Sequence, residues 1–317
     1  MKRYRAVFLS SNTDYVYSPA QQTEIAAITD LLPARLTPEN WESADLSGVE
    51  VIFSTWGMVN FSDEQLAKMP QLKAVFYAAG ATDGFAMPLL KRGVKISSAW
   101  RANAIPVAEM VTAQIILSLK NYFAHTASLR GPADWHKISS PGCYGETVAL
   151  IGSGAISTLV RRMLQPYNLN ILVVESLPEK RTVSIAEAFR RAYVVSNHLF
   201  NHETNYKVLT REMFASMRPG ATFINTGRGA QVDEEGLIAV LRERPDLTAL
   251  LDVTDPEPPV AGSPLYTLPN VHLSAHIAGS LNDEVHRMAD YVIADYKRFA
   301  DGEPLEHEVT EEMLLAR

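Results

Sequence analysis

Thiol chemistry has little to work with in this chain, because Cys143 is its only cysteine. One sulfur closes no internal disulfide, so the pattern points to a reducing compartment, with the cytoplasm as the expected location. Cys143 follows Pro141 and Gly142 in a loop and reads as an incidental thiol. Long apolar runs are scarce too. No charge-free stretch reaches the ~18 residues that a membrane span needs. The short apolar run near the start is interrupted by Asn12 and Asp14, too early to serve as a signal-peptide core. Clusters of one charge are missing as well: 29 basic and 36 acidic side chains are scattered, for a formal net charge of -7. A surface that tracks a nucleic-acid backbone is therefore not expected. His and Cys do not gather at ligand spacing, and Asp255/Glu257 and Glu234/Glu235 read as solvated charges, so no metal is expected.

What is present fits a globular α/β protein. At 317 residues, 47% of them hydrophobic, the chain is long enough for two domains with separate cores. Its organising stretch is residues 147–175, T-V-A-L-I-G-S-G-A-I-S-T-L-V-R-R-M-L-Q-P-Y-N-L-N-I-L-V-V-E. An apolar run ends at Gly152, a helical pattern follows, and a second apolar run ends on Glu175. That is the strand, turn, helix, strand, acid order of a dinucleotide fold. Gly152 allows the tight turn, and Gly154 lets the backbone of Ala155 and Ile156 approach a pyrophosphate at the helix start. Glu175 falls where a carboxylate can accept from two ribose hydroxyls. Ser157 stands where a third small residue, normally glycine, lets helix and strand pack closely. Taken alone, G-x-G with one acid also fits an ordinary βαβ unit.

Apolar runs at 6–10, 49–54, 72–77 and 94–98 lack polar alternation and predict strands covered on both faces. Helices are expected at 21–31, 62–68 and 84–91, the second capped by Ser62. Between them, Ala79, Gly80 and Ala81 sit in a loop of small residues. Such a loop exposes backbone N–H groups to an anion, or else makes a tight strand-to-helix connection. Residues 106–120 predict a helix opened by Pro106, and Tyr122, Phe123 and Trp135 an aromatic-bearing connection. Six further strands are expected at 147–151, 171–174, 193–196, 221–225, 248–253 and 271–274, with helices at 210–217, 233–242 and 281–299. The tail from 301 is polar with a short apolar finish, and is expected to pack back on the first domain.

Arg228, Glu257 and His276 each lie just beyond a late strand, where loops at strand carboxyl ends line the ligand crevice of open α/β sheets. Read singly, each also fits a surface ion pair or a structural histidine. Together with A-A-G-A-T-D at 78–83, N-A-I-P-V-A-E at 103–109, G-S-G-A-I at 152–156, M-R-P-G-A-T-F-I-N-T-G-R-G-A-Q-V-D at 217–233, L-D-V-T-D-P-E-P at 251–258 and L-S-A-H-I-A at 273–278, they cover nearly the whole chain. In these motifs the chain resembles the D-isomer-specific 2-hydroxyacid dehydrogenases, the family of phosphoglycerate, D-lactate and glyoxylate/hydroxypyruvate enzymes.

The resemblance implies two Rossmann-like or flavodoxin-like domains with doubly wound parallel sheets and a cleft between them. It implies a substrate-binding domain of residues 1–102 plus 282–317 and an NAD-binding domain of 103–281, usually with homodimerisation through the latter. Arg228 is implied to hold the substrate carboxylate and carbonyl, His276 to be the acid/base, and Glu257 to pair with it. Ala79, Gly80 and Ala81 are implied to cradle the carboxylate. The cofactor contacts are implied at Gly152, Gly154, Ala155, Ile156, Glu175, Asn225, Thr226, Gly227, Asp252 and Ala278, with Asp252 beside the nicotinamide. The expected reaction interconverts a 2-oxo acid and a D-2-hydroxy acid; the alternative on the same frame is a non-catalytic NAD(H) sensor or corepressor. Glu175 favours NAD over NADP by charge, although Lys180 and Arg181 follow closely. The chain departs from the family pattern at Ser157, and at Trp100, Phe200 and Ala275, where or near where proline is usual. Trp56, Met58, Trp100 and Arg101 are candidates for shaping the pocket, or for core packing.

Overall fold

The computed structural model describes residues 1–315; the final two positions of the expected segment 282–317 lie outside it. Strands run in chain order as β1 (Arg5–Leu9), β2 (Asp30–Leu36), β3 (Val51–Ser54), β4 (Ala74–Tyr77), β5 (Lys95–Ser98), β6 (Tyr144–Ile151), β7 (Asn168–Val174), β8 (Val194–Asn197), β9 (Thr222–Asn225), β10 (Thr248–Leu251), β11 (Val271–Leu273) and β12 (Glu308–Val309). They form two sheets, ordered β12-β5-β4-β3-β1-β2 and β11-β10-β9-β8-β6-β7. Every pairing is parallel except β12 with β5. The chain divides into two compact units, one of Met1–Ala104 with the segment from Ser280 onward, the other of Ile105–Gly279.

In the first unit, β3 and β4 are buried at all four positions, because helices cover both faces of a parallel sheet. Phe53 and Phe76 stack at 5.4 Å, and Tyr296 from the helix Glu284–Ala300 packs edge-on against Phe76. Burying each such ring contributes about 1.5–3 kcal/mol. Tyr17 lies in the same core and donates to the Ser54 carbonyl at 2.8 Å; burial holds its pKa well above the ordinary tyrosine value, so it remains a neutral donor. The C-terminal return is pinned by Asp295, which is 1% exposed and accepts from Ser97 Oγ, Glu306 N and His307 N.

In the second unit, β6 lies between β7 and β8, so the sheet reverses its winding direction at the carboxyl end of β6. That reversal opens the crevice in which ligands of such sheets bind. The core beneath it gathers Phe189, Phe214 and Phe223.

Several expectations are corrected. The helix expected over 21–31 is Pro19–Ile28, and the chain then turns into β2, an edge strand with an exposed middle around Pro33. The helix expected to open at Pro106 starts at Trp100 and runs through the proline to Ser118. Pro106 leaves one helical carbonyl without its N–H partner, a cost of about 3 kcal/mol. Buried Ala102, Ala104 and Ala108 on the same helix offset it by packing. The aromatic connection is partly helical, at Tyr122–Ser128. Ser62 caps its helix as expected, accepting from Gln65 N, and Asp233 caps the helix Glu234–Glu243, accepting from Gly236 N.

Candidate active site

The glycine turn sits at the winding reversal. Gly152 has φ +104°, and a Cβ there would meet the His198 carbonyl oxygen at 2.6 Å, so only glycine lets the β6 turn lie against the end of β8. Nothing lies within 4 Å of a Cβ position at Gly154, which caps the helix Ala155–Met163. The first N–H groups of that helix have no acceptor within it, so the open space above Gly154 faces donors aligned with a helix dipole. Ser157 replaces the expected third glycine without disruption, because its hydroxyl turns back to the Gly152 carbonyl at 2.6 Å.

Glu175 follows β7 directly and is half-buried. Its loop is braced by Arg181, which donates through Nε to the Glu175 carbonyl at 2.9 Å and through Nη2 to the Ser176 carbonyl at 3.1 Å. Ser176 Oγ in turn accepts from Ser153 N, tying this loop to the glycine turn. His198 and Thr226 add two buried polar atoms, Nδ1 and Oγ1, that find no partner among the described residues. An open glycine turn, a carboxylate at the next strand end and orphaned polar atoms beside them suit a dinucleotide.

Beyond β9, β10 and β11 the expected trio is arranged by backbone contacts. Arg228 lies between two glycines that are both held tightly. A Cβ at Gly227 would meet Asn197 Nδ2 and Gln231 Oε1 at 2.8 Å, and a Cβ at Gly229 would fall on the Thr254 carbonyl. The arginine loop therefore lies backbone to backbone against Thr254–Asp255, the segment leading to Glu257. Glu257 Oε1 and His276 Nδ1 are 2.7 Å apart, with side chains 43% and 47% exposed. An ionised carboxylate only accepts, so Nδ1 carries the hydrogen and Nε2 is left to face a ligand. An exposed pair of this kind contributes at most about 1 kcal/mol to folding, so stability does not explain it.

His276 also has φ +54°, a left-handed conformation costing about 1–3 kcal/mol for a residue other than glycine. Asp252 holds that conformation. Its carbonyl accepts from His276 N at 3.0 Å, while its carboxylate, in a residue 3% exposed, accepts from Ser274 Oγ, Ile277 N and Ala278 N. Asp252 and Ala278, expected at the cofactor, thus spend these groups on the histidine loop. Asn225, expected there too, is 1% exposed and spends its amide on Gly227 N, Arg228 O and Asn197. Sequence reasoning missed Asn197, Gln231 and the buttressing part of Asp252, because a buried amide carries no mark of partners some 30 positions away.

In the first unit the cradle loop follows β4. Ser98 Oγ lies 2.9 Å from the Ala79 carbonyl oxygen and 3.0 Å from that of Gly80, which turns those carbonyls inward. Ala79 N is spent on the Tyr77 carbonyl, whereas among the described residues the N–H groups of Gly80 and Ala81 have no acceptor. Two of the three expected cradle donors are therefore available. Trp100 Nε1 is buried without a partner among the described residues, and the Arg101 guanidinium lies 5.0 Å from the Trp100 ring centroid. Trp56 and Met58 pack against the core. No group of three His, Cys, Asp or Glu side chains among the described residues is placed to hold a metal ion. No single helix among them is long and apolar enough to cross a membrane.

A winding reversal with an open glycine turn, a strand-end acid, a histidine–carboxylate pair and an arginine loop seated on the segment leading to that carboxylate defines a dinucleotide-binding oxidoreductase frame. Residues 112–278 match the family described as D-isomer specific 2-hydroxyacid dehydrogenase, NAD binding domain, and the chain belongs to that family. It is similar to the D-3-phosphoglycerate dehydrogenase of Methanocaldococcus jannaschii, 29% identical over 256 residues that cover 77% of this chain and 48% of that one. The chain thus spans about half the length of that relative. A glyoxylate reductase of Thermofilum pendens is 26% identical, covering 80% of this chain and 79% of its own. Among solved structures, the apo D-mandelate dehydrogenase of Rhodotorula graminis superposes with a TM-score of 0.82 at 21% identity, covering 98% of both chains.

Proposed function

We propose that the protein reduces a 2-oxo acid to its D-2-hydroxy acid, with NADH preferred to NADPH. The observation that carries this reading is the His276–Glu257 pair, exposed, held in a strained loop by a buried carboxylate and bordered by the Arg228 loop. When bound, the reduced nicotinamide supplies the hydride to the carbonyl carbon. The chain's own residues must then meet the charge that grows on the carbonyl oxygen. Arg228 offers a planar fork of donors for the substrate carboxylate and that oxygen. His276 offers Nε2 to the same oxygen as the proton donor, and Glu257, by accepting from Nδ1, orients the ring. On the first unit taken by itself, Gly80 and Ala81 offer backbone donors of the kind an anion takes.

Gly152, Gly154, Ala155 and Ile156 would hold the pyrophosphate and Glu175 the adenosine ribose, with Thr226, Gly227 and Ala278 lining the nicotinamide side. Glu175 repels a 2′-phosphate, and Arg181, engaged with two backbone carbonyls, stiffens the acidic loop; both support NAD. Self-association as a homodimer through the unit Ile105–Gly279 is part of the proposal, supported by Trp135 at 82% and Tyr144 at 83% exposure on that unit. The single cysteine supports a cytoplasmic location. The experiment is a panel of 2-oxo acids offered to the purified protein with NADH and with NADPH, followed by the chirality of the best product. Binding of NADH without turnover of any acid would refute the catalytic reading.

A further inference from the structure

Three carboxamides, Asn197 at the end of β8, Asn225 at the end of β9 and Gln231 in the following loop, meet in the interior with exposures of 0%, 1% and 1%. Asn197 Nδ2 donates to Asn225 Oδ1 at 3.0 Å and to Gln231 Oε1 at 2.7 Å. Asn225 Oδ1 also accepts from Gly227 N, and its Nδ2 donates to the Arg228 carbonyl at 3.3 Å. Gln231 Oε1 accepts from Arg228 N at 3.2 Å. Both polar atoms of the Arg228 backbone are therefore held, each by a different amide of one cluster. On its other side, Gln231 Nε2 donates to the carbonyls of Leu199 and Phe200 at 3.0 and 2.8 Å, while Asn197 Oδ1 accepts from Leu199 N.

Buried amides are costly unless every group finds a partner, and a leucine would fill such a site at less risk. This cluster is extensively hydrogen-bonded, and its bonds end on two loops, the one bearing Arg228 and the one bearing Phe200. Gln231 alone supplies two of these hydrogen bonds to the Leu199–Phe200 turn. Gly227 belongs to the same arrangement, since any side chain there would displace Asn197 and Gln231.

We propose that Asn197 and Gln231, acting through Asn225, are positioning residues that set the direction of the Arg228 guanidinium, locking its loop to the Leu199–Phe200 turn. The proposal rests on the reading of Arg228 as the group that binds the substrate carboxylate. The probe is oxamate, an unreactive analogue of a small 2-oxo acid, titrated into the NADH-loaded protein, with NADH affinity measured separately. Gln231→Leu and Asn197→Leu should each weaken oxamate at least about tenfold, leave NADH affinity within about threefold, and combine with much less than additive effect, because both break the same unit. Should Gln231→Leu fail to fold, Asn197→Leu carries the test, since it leaves the Gln231 bonds to Arg228, Leu199 and Phe200 in place. Oxamate binding within twofold of the parent in either variant, or equal weakening of NADH and oxamate, overturns the proposal. Arg228→Gln separates it from the reading beneath it. If that variant loses oxamate while Gln231→Leu keeps it, only the positioning unit falls; if the parent binds no oxamate, the carboxylate-binding reading falls and takes this one with it.

Discussion

The Asp252 carboxylate receives the Ala278 N–H at 2.9 Å, two residues past the histidine whose own N–H is bound by the Asp252 carbonyl. One buried acid thus grips the loop on both sides of His276. Asp252→Asn keeps one acceptor oxygen and turns an NH2 toward a backbone N–H. The expected outcome is a kcat lowered about 10–100-fold with little change in NADH affinity, and a stability loss of about 1–3 kcal/mol from the unmatched donor. Urea unfolding with steady-state kinetics measures both. A stability loss with unchanged kcat would reduce Asp252 to a packing element.

Substitution of His276 tests the acid/base assignment with little risk to the fold. Asparagine tolerates left-handed backbone, and the Glu257 pair is too exposed to contribute more than about 1 kcal/mol. His276→Asn should lower kcat about 10²–10⁴-fold while the midpoint of thermal unfolding stays near that of the parent. NADH affinity, read by fluorescence titration, should not move. Equal turnover would remove the histidine from the mechanism.

Cofactor choice turns on Glu175 and Arg181. With the carboxylate neutralised in Glu175→Gln, Arg181, whose guanidinium lies on the carbonyls of 175 and 176, is left as a cation beside that loop for a 2′-phosphate. The ratio of kcat/KM for NADPH over NADH should rise at least about tenfold, an effect of the size expected when one like-charge repulsion near a protein surface is removed. Adding Arg181→Leu should cancel most of the gain. A parent that already prefers NADPH would reverse the assignment.

His198 makes stability depend on pH. Burial lowers its pKa from the usual 6.5 to about 3, so the folded protein keeps it neutral where an unfolded chain would protonate it. Its contribution is therefore fully present above about pH 6.5 and is lost as the pH falls toward 3, at up to about 1.4 kcal/mol per pH unit. Burial lowers His272 and His307 in the same direction, so the test is a difference. Urea midpoints between pH 7 and 4 should fall less steeply in His198→Gln than in the parent. Identical slopes would contradict the burial of a neutral imidazole.

Much of the frame was legible because buried parallel strands are continuous apolar runs: A-V-F-Y at β4 and V-A-L-I within β6 announce themselves. The strand β2 was not, since D-L-L-P-A-R-L lies at a sheet edge, alternates with no clear period and carries a proline. Helix onset was misplaced at Pro106 because proline favours a first turn, and the burial of Ala102 and Ala104 that overrides this preference is a tertiary effect. The glycines, Arg228, Glu257 and His276 stood out through motif and strand-end position. The bonds between Asn197, Asn225 and Gln231 did not, because polar side chains in the interior are chosen by neighbours that only the folded chain brings together.

The glycine at 229 seated on the Thr254 carbonyl has an evolutionary consequence. Two peptide planes in direct contact leave no side chain between them to enlarge or trim, so the spacing of the Gly229 and Thr254 backbones is a constant of the scaffold. Under the proposed activity, adaptation to bulkier or smaller acids falls to residues outside this contact, and variants selected for new substrates should leave the seam untouched.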